Sequence, residues 1–124
     1  MAEGLSAAAS LVEDLDKRLL VVLRDGRQYI GVLRTFDQFS NLVLEETVER
    51  VVVERAFADV PLGLYIVRGE NVVLMGELAG EEWRQLPGHA RVSPADIKSA
   101  QKAERAAQAL KGTMRQRFDF LDAE

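Results

Sequence analysis

The 124-residue chain contains no cysteine. That excludes disulfide staples, thiolate zinc sites and a cysteine nucleophile, and it fits a reducing compartment. Histidine is nearly absent too. The single one, His89, sits in a stretch with Gly88 and Pro87 and no patterned carboxylates, so it has no partners for metal or acid–base chemistry. There is no phosphate-binding glycine loop and no nucleophile elbow. "RDGR" at 24–27 has a metal-like look, but Asp-Gly is what a hairpin turn needs for its own geometry. No catalytic residue, metal ligand or cofactor is therefore expected, and the chain is not read as an enzyme. No apolar run approaches the roughly 20 residues needed to span a bilayer, and the start, "MAEGLSAAASLVEDLDK", is not patterned as a signal peptide. A soluble, intracellular protein without a membrane role is expected. Basic charge is also scarce: 16 Lys and Arg stand against 20 Asp and Glu, for a net charge of −4. A protein that bound nucleic acid mainly by neutralising phosphates would be basic. Any nucleic-acid role must use a small local pocket, or basic surface lent by partners.

What is present is ordinary globular material, 48% apolar, enough for one domain and a tail. Leu5, Ala8, Leu11, Val12 and Leu15 fall at helical spacing, with Ser10 and Glu13 as a possible capping box and Ser6 as an alternative start. "LLVVLRDGRQYIGVLRTF" holds two β-rich runs joined by Asp25-Gly26. Gly31, inside the second run, marks a sharp bend or a close backbone approach. "NLVLEETVERVVVER" reads as a long third strand, and "AFADVPLG" as a loop, because Pro61 argues against continuous pairing. Two short apolar runs follow, Leu64 to Val67 and Val72 to Met75, split by a turn at Gly69. Tyr65, Val67, Val73 and Met75 make these runs apolar on both faces, so one face needs a cover. Another helix of the chain or a neighbouring subunit would supply it. Residues 79–92 are loop-like, with Trp83 as a candidate anchor. "SPADIKSAQKAERAAQALKG" then has Ser93 as N-cap, Pro94 at the first position and Gly112 as a stop. Its stripe of Ile97, Ala100, Ala103, Ala107 and Leu110 is thin, so weak docking is expected.

Two turns stand out together. One contains Asp37, Phe39 and Asn41; the other contains Arg68, Gly69 and Asn71. Taken singly, they are turn formers, with Gly69 at positive φ and Arg68 a solvated charge. Taken as a pair, an aromatic ring and an arginine can clamp a base while an asparagine reads its edge and an aspartate holds that asparagine in place.

On those residues, "LRDGRQYIGVLRTFDQFSNLVLEE" and "IVRGENVVLMGEL" resemble the two Sm motifs of the Sm and Sm-like (Lsm) family, over roughly residues 10–78. The likeness goes furthest toward the branch of the family unique to the cytoplasmic ring of mRNA decay. It implies a mainly β fold: an N-terminal helix and a strongly bent five-stranded antiparallel sheet forming a small barrel, with a C-terminal helical extension. The corresponding division is 1–80 for the Sm-like domain, 81–92 for a linker and 93–124 for the helix and tail. The resemblance implies a nucleotide pocket of Asp37, Phe39, Asn41, Arg68 and Gly69, with Phe39 stacking, Asn41 bonding the base, Asp37 orienting Asn41 and Arg68 covering the other face. It implies subunit contacts through the strands that carry Tyr65, Val67, Val73 and Met75.

The implied partners are six other Lsm subunits in a ring, single-stranded RNA with U-rich or oligoadenylated mRNA 3′ ends, and a Pat-type decapping activator. The implied location is the cytoplasm, including P-bodies. Two other roles stay open: a nuclear ring on a spliceosomal RNA, and a barrel that only binds proteins. One stacked base contributes about 1–3 kcal/mol, whereas micromolar affinity needs about 8 kcal/mol. Several pockets threaded by one strand can reach it. The tail residues Phe118 and Phe120 read equally as a docking motif or as a cap on the barrel.

Overall fold

The computed structural model describes residues 11–122, with side chains through Gly112. Leu5, Ala8 and Ser10 of the expected first helix lie outside the described residues, as do the side chains of Phe118 and Phe120. Residues 11–13 are helical and place Leu11 in the core. The strands are β1 (Arg18–Leu23), β2 (Gln28–Phe36), β3 (Leu42–Val53), β4 (Ala56–Val67), β5 (Val72–Glu77) and β6 (Ala90–Arg91). They form one sheet in the order β5-β1-β2-β3-β4-β6. Every pairing is antiparallel except β4 with β6. β1 and β2 meet at the Asp25-Gly26 turn, where Asp25 Oδ1 accepts the Arg27 N–H at 3.0 Å.

The sheet bends along one line that crosses three strands. Register slips between Ile30 and Val32 on β2, and between Leu44 and Thr47 on β3. Glu46 takes φ 53° and Gly63, paired with Thr47, takes φ 76°. Bulges of this kind leave a residue unpaired and sharpen local twist. Gly31 is the tightest point. A Cβ there would stand 2.8 Å from Thr47 Oγ1 and 3.0 Å from Leu44 Cβ, so the strands close at this angle only over a bare backbone. Thr47 itself is buried, and its hydroxyl has no hydrogen-bond partner among the described residues.

The bend divides the interior. On one side Leu11, Leu19, Val21, Leu33, Leu42, Leu44 and Val67 pack together. On the other, Val51, Val53 and Ala58 enclose Ile97 from the C-terminal helix, Pro94–Asp122. Ser93 caps that helix by accepting the Asp96 N–H at 3.1 Å. Its thin alanine stripe gives the docking it should: Ile97 and Ala100 engage the sheet, whereas Leu110 is exposed.

Two sequence expectations fail. "AFADVPLG" is not a loop but the first eight of the twelve residues of β4, in which Pro61 pairs with Val48 at a register shift. Proline is tolerated there because the ladder is already interrupted. Gly112 does not stop the helix, which continues to Asp122. A glycine costs about 1 kcal/mol relative to alanine, too little to end a long run of helix formers. The expected five-stranded antiparallel sheet is present as β1–β5, and 81–92 adds to it a 3-10 turn at Glu82–Arg84 and the short parallel β6. A two-residue strand has no periodicity to read.

That segment is fastened firmly. Arg50 and Asp59, only 8% and 7% exposed, form a two-pronged pair at 2.9 and 3.0 Å, and Arg50 also donates to the Trp83 carbonyl at 2.6 Å. The Trp83 ring lies under Arg18 and Arg84, at 4.9 and 4.8 Å from centroid to guanidinium carbon.

Two stability measurements test these points. Gly31→Ala should lower unfolding free energy by about 1–3 kcal/mol through overpacking, read as a lower urea midpoint. Thr47→Ala added to it should recover part of that loss as a non-additive coupling. Asp59→Ala, which strands a buried guanidinium, should cost about 3–5 kcal/mol on the same assay.

Candidate nucleic-acid interface

The pairing of Leu42 with Val67 sets the β2–β3 loop beside the turn that follows β4. The first loop is built around one carboxylate. Asp37 Oδ1 accepts the N–H groups of Phe39 at 2.8 Å and Asn41 at 3.0 Å, and Oδ2 accepts Asn41 Nδ2 at 2.8 Å. The Ser40 N–H closes the turn on the Asp37 carbonyl at 3.0 Å, with Ser40 at φ 61°. These bonds, the Asn41 side-chain amide first and the backbone N–H groups after it, hold the Asp37 carboxyl below its usual pKa.

Asn41 then joins the two loops. Its Oδ1 accepts the Gly69 N–H at 2.8 Å. A side-chain amide has two donor hydrogens and two acceptor lone pairs, so one of each is still unused after these bonds. Gly69 is not at positive φ, as a plain turn reading would have it. It is glycine because a Cβ would lie 2.3 Å from the Phe39 carbonyl oxygen and 2.7 Å from that of Ser40. The loops touch backbone to backbone.

Phe39 is 71% exposed, and Arg68 is exposed and lies 3.8 Å from Glu70. Phe39, Ser40, Asn41, Arg68, Gly69 and Glu70 line an open cleft of about 600 Å³. All five residues expected at the pocket come together: four line the cleft, and Asp37 stands behind Asn41. Ser40 and Glu70 were not expected there. No spacing marks them; only the contact between the two loops brings them in. A second depression shares Asn41 and Arg68 and extends over Thr35, Phe36, Val43 and Ile66.

The outward face of the edge strands differs from the sequence reading. Of Tyr65, Val67, Val73 and Met75, only Val73 points its side chain outward. Val67 is buried, and Met75 packs on the core, as does Tyr65, whose ring stacks on Tyr29 at 4.7 Å. The exposed apolar side chains are Leu62, Leu64 and Ile66 on β4, and Val73 and Leu74 on β5, with Leu64, Ile66 and Val73 all 64% exposed. The error is one of phase: counting back by twos from an inward Val67 makes Tyr65 inward and its neighbours outward. β4 and β5 lie on opposite sides of the sheet and do not pair with each other.

Among the described residues no group of three or more histidines and acids is placed to hold a metal ion. His89 Nδ1 faces the nearby Pro87 carbonyl at 3.1 Å, to which it donates. Nor is any helix, among those residues, long and apolar enough to cross a membrane.

Comparison with known proteins agrees with this architecture. The LSM domain model matches residues 9–77. Sm-like protein LSM1A of Arabidopsis thaliana is 58% identical over 118 residues, covering 94% of this chain and 91% of that protein. The LSM1-LSM7 complex subunit lsm1 of Schizosaccharomyces pombe is 55% identical over 73 residues, 59% of this chain and 52% of its own. Among solved structures, the SmAP1 heptamer of P. aerophilum superposes with a TM-score of 0.51 at 37% identity, covering 59% of this chain and 93% of that one. With the matched region spanning the helix end, the bent sheet and both site loops, the chain belongs to the LSM domain family.

Proposed function

We propose that this protein is a non-enzymatic subunit of a seven-membered Lsm ring that grips the 3′ ends of deadenylated mRNA. One observation carries the reading. Asn41 is locked between Asp37 and the Gly69 N–H, beside an exposed Phe39 and an exposed Arg68. A base stacked on the Phe39 ring would meet the spare donor and acceptor of an amide that cannot rotate. Arg68 would close over the base from the other side. Stacking and edge reading of this kind suit single-stranded RNA, whose bases can splay out.

The ring is supported by the apolar edges and by the relatives. Leu64 and Ile66 on one edge, and Val73 and Leu74 on the other, form two separate faces that a neighbour on each side would cover. The lsm1 relative is named as a subunit of an LSM1-LSM7 complex, and the superposable structure is a heptamer. In this reading six sibling chains complete the ring. The RNA is a U-rich or oligoadenylated 3′ end, a Pat-type activator links the ring to decapping, and the assembly works in the cytoplasm, including P-bodies.

Three outcomes follow for the reconstituted seven-chain assembly. Phe39→Ala should weaken binding of an oligouridylate by about 5- to 150-fold, the equivalent of about 1–3 kcal/mol, with ring mass unchanged by native mass spectrometry. Unaltered affinity there and in Asn41→Ala would remove the pocket from the account. Ile66→Glu should instead abolish assembly, seen as loss of the ring peak. RNA sequencing from the purified native complex should return deadenylated mRNA ends; small nuclear RNA in their place overturns the decay role.

The pH dependence of the site has a definite sign. The carboxyl of Asp37 has a lowered pKa in the fold, so its bonds stabilise the loop above the ordinary aspartate value of about 3.9 and are lost as pH falls below it. An NMR titration should show the Asn41 side-chain amide and the Gly69 N–H moving together, at a pH below that value. Asp37→Asn should remove the shared transition.

A further inference from the structure

The base cleft has a second hollow beside it. Thr35 pairs with Val43 and Val43 with Ile66, so these three residues form one row across β2, β3 and β4. Their neighbours Leu42 and Val67 are buried, and side chains alternate along a strand, so the row faces outward. It floors a depression of about 550 Å³. Asn41 and Arg68 line this depression and also the Phe39 cleft, so the two hollows meet at these two side chains. Asp37, which holds the Asn41 amide, lines the depression only.

In a single chain this arrangement is half built. The Asn41 amide is fixed by its own bonds, but water reaches it from the depression as well as from the cleft. A hydrogen bond from such an amide to a base replaces a bond to water, and the exchange gains little. Arg68 is less settled still: its side chain is 76% exposed, and its contact with Glu70 is a surface ion pair. Filling the depression would shield the amide on one side and limit where Arg68 swings. Polar contacts strengthen when water is excluded around them. The filler has a definite chemistry. Val43 and Ile66 give the floor two branched aliphatic side chains, which suit another aliphatic one. A second base would find no stacking partner there, since the aromatic lining residue, Phe36, packs on the core. Ile66 also belongs to the exposed apolar face of β4, so the depression is continuous with the face that a neighbour would cover.

We propose that the nucleotide site of this chain is composite: the subunit that covers Ile66 seats an aliphatic side chain in the depression over Thr35 and Val43, and only then is the grip of Asn41 and Arg68 complete. This chain presents side chains of that kind elsewhere on its own surface, Val73 and Leu74, exposed by 64% and 62%. A site shared in this way switches on with assembly and leaves the unassembled chain a poor RNA binder. The proposal rests on the ring reading above.

Uridine monophosphate tests it, since a mononucleotide cannot bridge two pockets. The full chain, isotopically labelled, is titrated alone and beside six unlabelled siblings in the assembly, with the Asn41 side-chain amide reporting on this one site. Half-saturation should come at a concentration lower by about fivefold or more in the assembly, the size of a modest coupling between sites. Equal affinity in the two states overturns the composite site. No response of Asn41 in either state is failure of the pocket reading itself, and absence of assembly beside all six siblings is failure of the ring reading; the proposal falls with each. In a second arm, Val43→Ala deepens the depression without touching the Phe39 cleft. Binding should weaken by about threefold in the assembly, with ring mass unchanged by native mass spectrometry, and stay unaltered in the isolated chain. Equal weakening in both, or none in the assembly, overturns the neighbour's contribution. Overhauser contacts of the Val43 methyl groups identify the occupant: they should run to a sibling side chain in the assembly. Contacts to the second nucleotide of UpU in its place would give the depression to RNA and overturn the proposal.

Discussion

A close approach with no room for one methyl group governs this molecule. Where Gly31 meets Thr47, β2 and β3 come near enough that only a bare backbone fits. The same line continues through Glu46 and Gly63, so β2, β3 and β4 turn together. A sheet bent across these three strands makes two separate apolar interiors, one closed by Leu11 and the other by Ile97. At the end of the same β3–β4 ladder the pairing of Leu42 with Val67 sets Arg68 and Gly69 beside the β2–β3 loop, and the cleft lies between them.

Within the cleft, rigidity comes from very few atoms. One carboxylate organises three donors and one amide joins two loops. The ring of Phe39 is exposed, and its backbone N–H is tied to Asp37, so the chain that carries the ring is fixed beside the cleft. This is preorganisation in the usual sense: side chains that contact a ligand are positioned by neighbours that do not. It also explains why a site on loops can be specific in an acidic chain. Stacking and hydrogen bonding act at contact distance, whereas the repulsion between a net charge of −4 and a polyanion is screened beyond about 8 Å at physiological salt.

The legibility of all this in the sequence was uneven, for physical reasons. Turn chemistry and glycine requirements are local, so the Asp25-Gly26 hairpin, the bend at Gly31 and the grouping of Asp37, Asn41 and Gly69 could be read directly. Only the single-turn reading of Gly69, positive φ, does not hold, because the close approach that requires glycine there depends on a second loop 28 residues away. Pro61 and Gly112 were read as breaks by their intrinsic preferences, which pairing and a long helix overrode. Strand phase failed at Tyr65, Val67 and Met75, since a strand that is apolar on both faces has no alternation to reveal which face is inside. β6 was invisible: its two residues are defined by what they pair with, not by what they are.

The site and the edges are connected by one residue. Ile66 is exposed on β4, and it also lines the depression that shares Asn41 and Arg68 with the cleft. A neighbour that covers Ile66 would therefore add a wall beside the Asn41 amide. In the ring reading, assembly and RNA binding are then coupled through contact: each subunit joining shapes the pocket of the subunit it joins. The coupling is reciprocal, as linkage requires, so RNA held at Asn41 would in turn favour the neighbour's docking over Ile66.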